Sequence, residues 1–194
     1  MNQELHVLIV EDSEADAQLL LLQLRRNGYQ PVAQRVQTAE EMERALADKP
    51  WDLVIADYFL PTFNALAALD LFHRCGLDVP FLVVSGTIGE ETAVEAMRAG
   101  AHDYIMKGSS ARLIPAIARE LREAEERANR RRAEQALRES ERRFRALIEH
   151  SSDLLTVLDA GGRIVYESPS VERLLGLTAG ELMGTAIEEH VHPD

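Results

Sequence analysis

An open, doubly wound α/β domain on a parallel sheet is the fold class predicted for the first 118 residues, and three observations predict it. Short apolar runs rich in Val, Leu and Ile alternate with segments of helical period, the pattern of βα units around a parallel sheet. The first, third and fourth runs are almost wholly apolar, as strands buried on both faces must be. Each of the first four helical segments stops at or just before a glycine or proline, the residues that end helices.

Taken in order, the predicted strands are Leu5–Val10, Pro31–Val36, Asp52–Ala56, Pro80–Val84 and Asp103–Met106. Between them, Glu14–Asn27 carries Leu19, Leu20 and Leu24 on one stripe and stops at Gly28. Thr38–Asp48 opens on a capping-box pair, Thr38 and Glu41, and stops before Pro50. Ala65–Cys75 ends at Gly76 and Glu90–Ala99 at Gly100. A fifth helix is read as one long element from Ala111 to about Ile148, Pro115 being the one place where it could break. At about 1.5 Å per residue it extends on the order of 50 Å, more than one small domain can cover.

Charge divides the chain in the same places. Net charge is −8 over residues 1–118, +3 over 119–145 and −7 over 146–194, giving −12 in all. Such a balance argues against broad nucleic-acid binding, because phosphates would be repelled. The N-terminus lacks the basic, long-apolar pattern of a signal peptide, and no apolar run reaches the roughly 18 residues of a membrane span. No membrane association and a cytoplasmic location are therefore expected. The single cysteine, Cys75, excludes an internal disulfide and is read as a small apolar core residue.

Along the long helix, Ile114, Ile117, Leu121, Ala124 and Ala128 recur three and four apart, as do Ala133, Leu137, Ser140, Phe144 and Leu147. That spacing is a coiled-coil seam, with a phase offset around Arg130, so a homodimer through residues 111–148 is expected. Beyond it, LLTVLD and RIVYES flank Gly161-Gly162 as a hairpin, followed by short helices Val171–Leu175 and Ala179–Met183. His150, His190 and His192 lack the acid or cysteine pattern of a metal site and are not read as ligands.

In a doubly wound sheet, ligands bind beyond the carboxyl ends of the strands. Glu11-Asp12, Asp57, Ser85 and Lys107 all fall there, on four different strands. Taken singly, each has a structural explanation: Asp12 or Ser13 would cap a helix, and Asp57 would start a turn before Pro61. Together they make a functional cluster, because three carboxylates at one sheet end call for a cation. Mg²⁺ suits such oxygen donors best.

These residues, with Leu60-Pro61 after Asp57, Ser85-Gly86 and Lys107 after Asp103-Tyr104, resemble the receiver domain of two-component signalling over residues 1 to about 120. The resemblance implies a flavodoxin-like sheet of order 2-1-3-4-5. It implies that Asp57 is the nucleophile toward a phosphohistidine on a histidine kinase or phosphotransfer protein, or toward a small phosphodonor. Mg²⁺ would be held by Glu11, Asp12, Asp57 and the Phe59 carbonyl. Lys107 and Ser85 would contact the phosphoryl oxygens, and Ser85 and Tyr104 would form the switch. Two positions depart from the family: Gly108 follows Lys107 where proline is common, and Asn64-Ala65 replaces an acid and a glycine.

Residues from about Ser140 to Asp194 resemble the first half of a PAS sensor domain, without a cofactor that can be assigned. The implied domains are a receiver over 1–110, a helical linker over 111–148 and the N-terminal part of a PAS domain over 149–194. The function expected is phosphorelay signal transduction toward a PAS and effector region, the effector being a histidine kinase or a cyclic-dinucleotide enzyme. A phosphorylation-independent interaction module is the alternative. A Mg²⁺-dependent aspartyl-phosphate hydrolase is disfavoured, because Phe59 stands where such enzymes need a second acid.

Overall fold

The computed structural model describes residues 3–61, 63–86, 89–149 and 153–191. His150 and His192 lie outside them. Contacts divide the chain into two units, Met1–Asn129 and Arg130–Asp194, with one helix running through both.

In the first unit, β1 (Gln3–Val10), β2 (Tyr29–Val36), β3 (Leu53–Asp57), β4 (Phe81–Ser85) and β5 (Asp103–Met106) form one parallel sheet of order β2-β1-β3-β4-β5. The interleaving helices are α1 (Glu14–Arg26), α2 (Ala39–Asp48), α3 (Ala65–Arg74), α4 (Glu90–Arg98) and α5 (Ser110–Glu149). The period-two alternation of strand side chains decides which layer each residue joins. Leu5, Val7 and Ile9 of β1 face Ala17, Leu20 and Leu24 of α1 and Leu113, Ala116 and Ile117 of α5. Leu8 and Val10 face the opposite layer, with Met42 of α2, Phe72 of α3 and Ala96 of α4.

The first strand and the second begin two residues earlier than their apolar runs, because Gln3 pairs with Tyr29 and extends the ladder. Pro31 is tolerated because β2 is an edge strand with only one neighbour to hydrogen-bond. Thr38 caps α2 by accepting from the Glu41 N–H at 3.2 Å, while Glu41 accepts from the Gln37 N–H at 2.8 Å rather than from Thr38. Asn64 caps α3, its Oδ1 accepting from the Ala67 N–H at 2.9 Å. Cys75 is exposed, contrary to expectation. It sits at the C-cap of α3, past the buried stripe of Ala65, Ala68, Leu69, Leu71 and Phe72.

Helix α5 continues through Pro115. A proline in the second turn removes one backbone bond near a helix start, less disruptive than a break at mid-helix. The seam read at Ile114, Ile117 and Leu121 is not free for a partner helix. Ile117 is fully buried, and Ile114 and Leu121 pack against the same layer of the sheet. Three-four spacing serves a helix lying on its own sheet as well as a coiled coil. Farther on, Leu137, Phe144 and Leu147 are exposed by 61%, 64% and 72%, which leaves the second seam open to a partner.

In the second unit, β6 (Thr156–Leu158) pairs antiparallel with β7 (Ile164–Glu167). Asp159 shapes the turn by accepting from the N–H groups of Gly161 and Arg163 at 2.8 and 2.9 Å. Helices α6 (Ser170–Leu175) and α7 (Ala179–Leu182) follow, and a small core gathers Ile164, Val171 and Leu182. Among the described residues, no helix is long and apolar enough to cross a membrane.

Candidate phosphoacceptor site

Strand register brings the singled-out residues to one edge. Val10 pairs with Ala56, Asp57 with Val84, and Ser85 with Met106, so the residues at or just after the strand ends come together at one edge of the sheet. The backbone ladder continues past the strands: the Glu11 N–H donates to Val36 O at 3.0 Å, and the Lys107 N–H to Ser85 O at 2.7 Å. Glu11, Asp57 and Ser85 are buried, whereas Asp12 is exposed.

Carboxylate oxygens of Glu11, Asp12 and Asp57 all lie within 4.8 Å of one another. Three hard oxygen donors so close, two of them buried, suit a small divalent cation and no soft metal. Burial pushes the Glu11 carboxyl above the ordinary glutamate range. Hydrogen bonds from Lys107 and from the Ser13 N–H oppose that push without cancelling it.

An ammonium has three protons to donate. Those of Lys107 meet three carboxylates: Glu11 Oε2 at 2.7 Å, Asp57 Oδ2 at 2.8 Å and Asp16 Oδ2 at 2.5 Å. Burial works against the charge, but the bonds to Asp16, Asp57 and Glu11 outweigh it and raise the Lys107 pKa above the ordinary lysine value. The other oxygen of Asp57, Oδ1, accepts from the Phe59 N–H at 3.3 Å, while the Phe59 ring is exposed.

Gly108 turns the chain out of the site at φ +82°, a left-handed conformation that glycine adopts without strain. Tyr104, half-buried on β5, packs against the core, with the ring of Tyr58 edge-on at 6.4 Å.

Two supporting residues escaped the sequence reading. Asp16 stands in the first turn of α1, its N–H capped by Ser13 Oγ at 3.2 Å. Arg35, on β2, donates through Nη1 to the carbonyls of Glu11 and Asp12 at 3.0 and 3.2 Å, fixing the backbone of the acidic pair. A β-strand arginine one residue before the strand's end was the only signal for the latter. Among the histidines, His190 bonds Thr185 Oγ1 at 2.8 Å through Nε2.

Comparison with known proteins gives a concordant picture. The response regulator receiver domain description matches residues 7–119, and the PAS fold description matches residues 142–194. The phosphate regulon transcriptional regulatory protein PhoB of Klebsiella pneumoniae is 32% identical over 106 residues, covering 52% of this chain and 44% of that protein. Response regulator protein FleR of Pseudomonas aeruginosa is 36% identical over 114 residues, covering 58% of this chain and 24% of that protein. The structure of NtrX from Brucella abortus superposes with a TM-score of 0.59 at 28% identity, over 66% of this chain and 29% of that one. The matches thus span less than half the length of these relatives.

Proposed function

Since the chain belongs to the response regulator receiver domain family, we propose that it accepts a phosphoryl group on Asp57 from a histidine kinase or phosphotransfer protein and relays the change toward its C-terminal half. One observation carries the reading: a buried Asp57 lies within reach of two further carboxylates and 2.8 Å from the Lys107 ammonium, all at one sheet edge.

Glu11, Asp12 and Asp57, with the Phe59 carbonyl, would hold Mg²⁺. Bound there, the cation supplies positive charge that a phosphoryl group needs as it transfers. The chain's own residues do the rest. An Asp57 oxygen attacks the phosphorus in line; the new O–P bond forms as the P–N bond to the donor imidazole breaks, and that imidazole leaves with the bonding pair. Lys107 pairs with a phosphoryl oxygen, a charge-assisted bond of the strong kind. Ser85, buried at the end of β4, donates its hydroxyl to another. Tyr104 then moves into the space that Ser85 gives up, which biases the face formed by α4, β5 and α5.

Helix α5 is the output element in this reading. Its first turns serve the receiver core, and its exposed Leu137, Phe144 and Leu147 support a homodimer through the second seam, Ala133 to Leu147, rather than through the whole of residues 111–148. Residues 149–194 would begin a PAS domain that passes the signal on. The experiment is intact-mass measurement after incubation with Mg²⁺ and a small acyl phosphate. A single phosphoryl adduct, absent from Asp57→Ala and from a metal-free control, is expected. No adduct on the wild type, while a known receiver in the same mixture reacts, would leave a phosphorylation-independent interaction module.

A further inference from the structure

Asp16 sits outside the trio that gathers around Asp57, yet it makes the shortest of the three contacts to Lys107, at 2.5 Å against 2.7 and 2.8 Å. Its side chain is 42% exposed, whereas those of Glu11 and Asp57 are 1% and 9% exposed. The ammonium therefore bridges two kinds of partner: two buried carboxylates that belong to the acidic trio, and one at the rim that does not.

A divalent cation and an ammonium cannot share the same carboxylate oxygens, because like charges at such distances repel strongly in a partly desolvated site. When the trio gathers a cation, Lys107 has to give up its contacts to Glu11 and Asp57. A lysine left with no counter-charge at 22% exposure would resist that release. Asp16 removes the obstacle. Its carboxylate is held toward the site because Ser13 fixes the first turn of α1, and it stays available to Lys107 after the other two contacts are broken.

Resting on the phosphoacceptor reading, we propose that Asp16 is a positioning residue that docks Lys107 beside the acidic trio and thereby sets the affinity of the trio for Mg²⁺. It acts through Lys107 and is not itself a ligand. Without it, the ammonium falls back wholly on Glu11 and Asp57 and competes with the cation for them.

The test is a double-mutant cycle read by titration calorimetry with Mg²⁺ alone and no phosphodonor, on the whole chain. Asp16→Asn is expected to weaken Mg²⁺ binding about tenfold in the wild-type background. With Lys107→Met already in place, the same change is expected to alter affinity by less than about twofold, the residue of a screened charge. A merely structural role for Asp16 would not depend on Lys107, and urea unfolding of all four proteins checks that each is folded. Equal weakening in both backgrounds, or none in either, overturns the docking role while leaving the phosphoacceptor reading intact. A wild type that takes up no Mg²⁺ overturns both.

Discussion

The Tyr58 hydroxyl donates to Glu95 Oε2 across 3.2 Å, which ties the residue after Asp57 to helix α4. Burial, and then this bond, hold the phenol above the ordinary tyrosine range, so it stays protonated and donating at neutral pH. The Tyr58 N–H also donates to Val84 O at 2.8 Å, so a shift of the β3 exit is felt at both β4 and α4. Tyr58→Phe should remove about 0.5 kcal/mol of local support, the low end for a partly exposed hydrogen bond. Amide exchange across Glu90–Arg98 should then quicken about twofold with the global unfolding midpoint unchanged. Unchanged exchange in α4 would show that the bond does not restrain it.

Arg35 grips the acidic pair from behind, through the carbonyls of Glu11 and Asp12. Arg35→Ala should lower Mg²⁺ affinity severalfold, because the two carboxylates lose their shared anchor, while stability falls by about 1 kcal/mol or less at this half-exposed position. Calorimetric titration beside a urea melt separates the two effects. Equal Mg²⁺ affinity in the variant would mean that the strand ends alone fix the pair.

His102 precedes β5 and accepts the Phe81 N–H on Nδ1 at 3.1 Å. Burial depresses its pKa below the ordinary 6.5; Glu120 and Asp78 pull it up, Arg127 and His73 push it down, and burial prevails. The unfolded chain therefore takes up this proton more readily than the folded one. Stability from this group is present above the ordinary value and is lost as pH falls toward the depressed one. The urea midpoint should drop between about pH 7.5 and pH 5.5, and by less in His102→Asn, which keeps an acceptor but cannot titrate. Parallel pH profiles would remove His102 as the source.

The oligomeric state follows from how α5 is divided. Cutting the chain at Gly108 would strip Leu113, Ala116 and Ile117 from the receiver core and unfold it, so a stop after Asn129 is the informative truncation. Light scattering should give a dimer for the whole chain and a monomer for the truncated one. Two monomers would leave the exposed Leu137, Phe144 and Leu147 without a second copy as partner.

The strand order and the meeting of Glu11, Asp12, Asp57, Ser85 and Lys107 were legible in the sequence, because chemistry at strand exits is a local signal that topology converts into proximity. Asp16 was not legible, since a first-turn acid looks like any other helix-start acid until α1 is laid beside the β5 exit, 91 residues away. Arg35 was missed for a similar reason: its partners are backbone carbonyls, which leave no mark on the pattern of side chains. Ile114 and Ile117 misled in the opposite sense, because one apolar stripe fits a sheet and a partner helix equally well.

Trp51, the chain's single tryptophan, is buried where β3 begins, with its indole N–H donating to Ala45 O at 2.9 Å. Asp57 closes the same strand at its other end, about 20 Å away at strand spacing. Red-edge excitation therefore yields an optical channel that belongs to the receiver half alone and stands too far from the carboxylates to be quenched directly by what binds there. Unfolding of this half can be timed by emission without a label, while occupancy of the acidic edge needs a separate reporter.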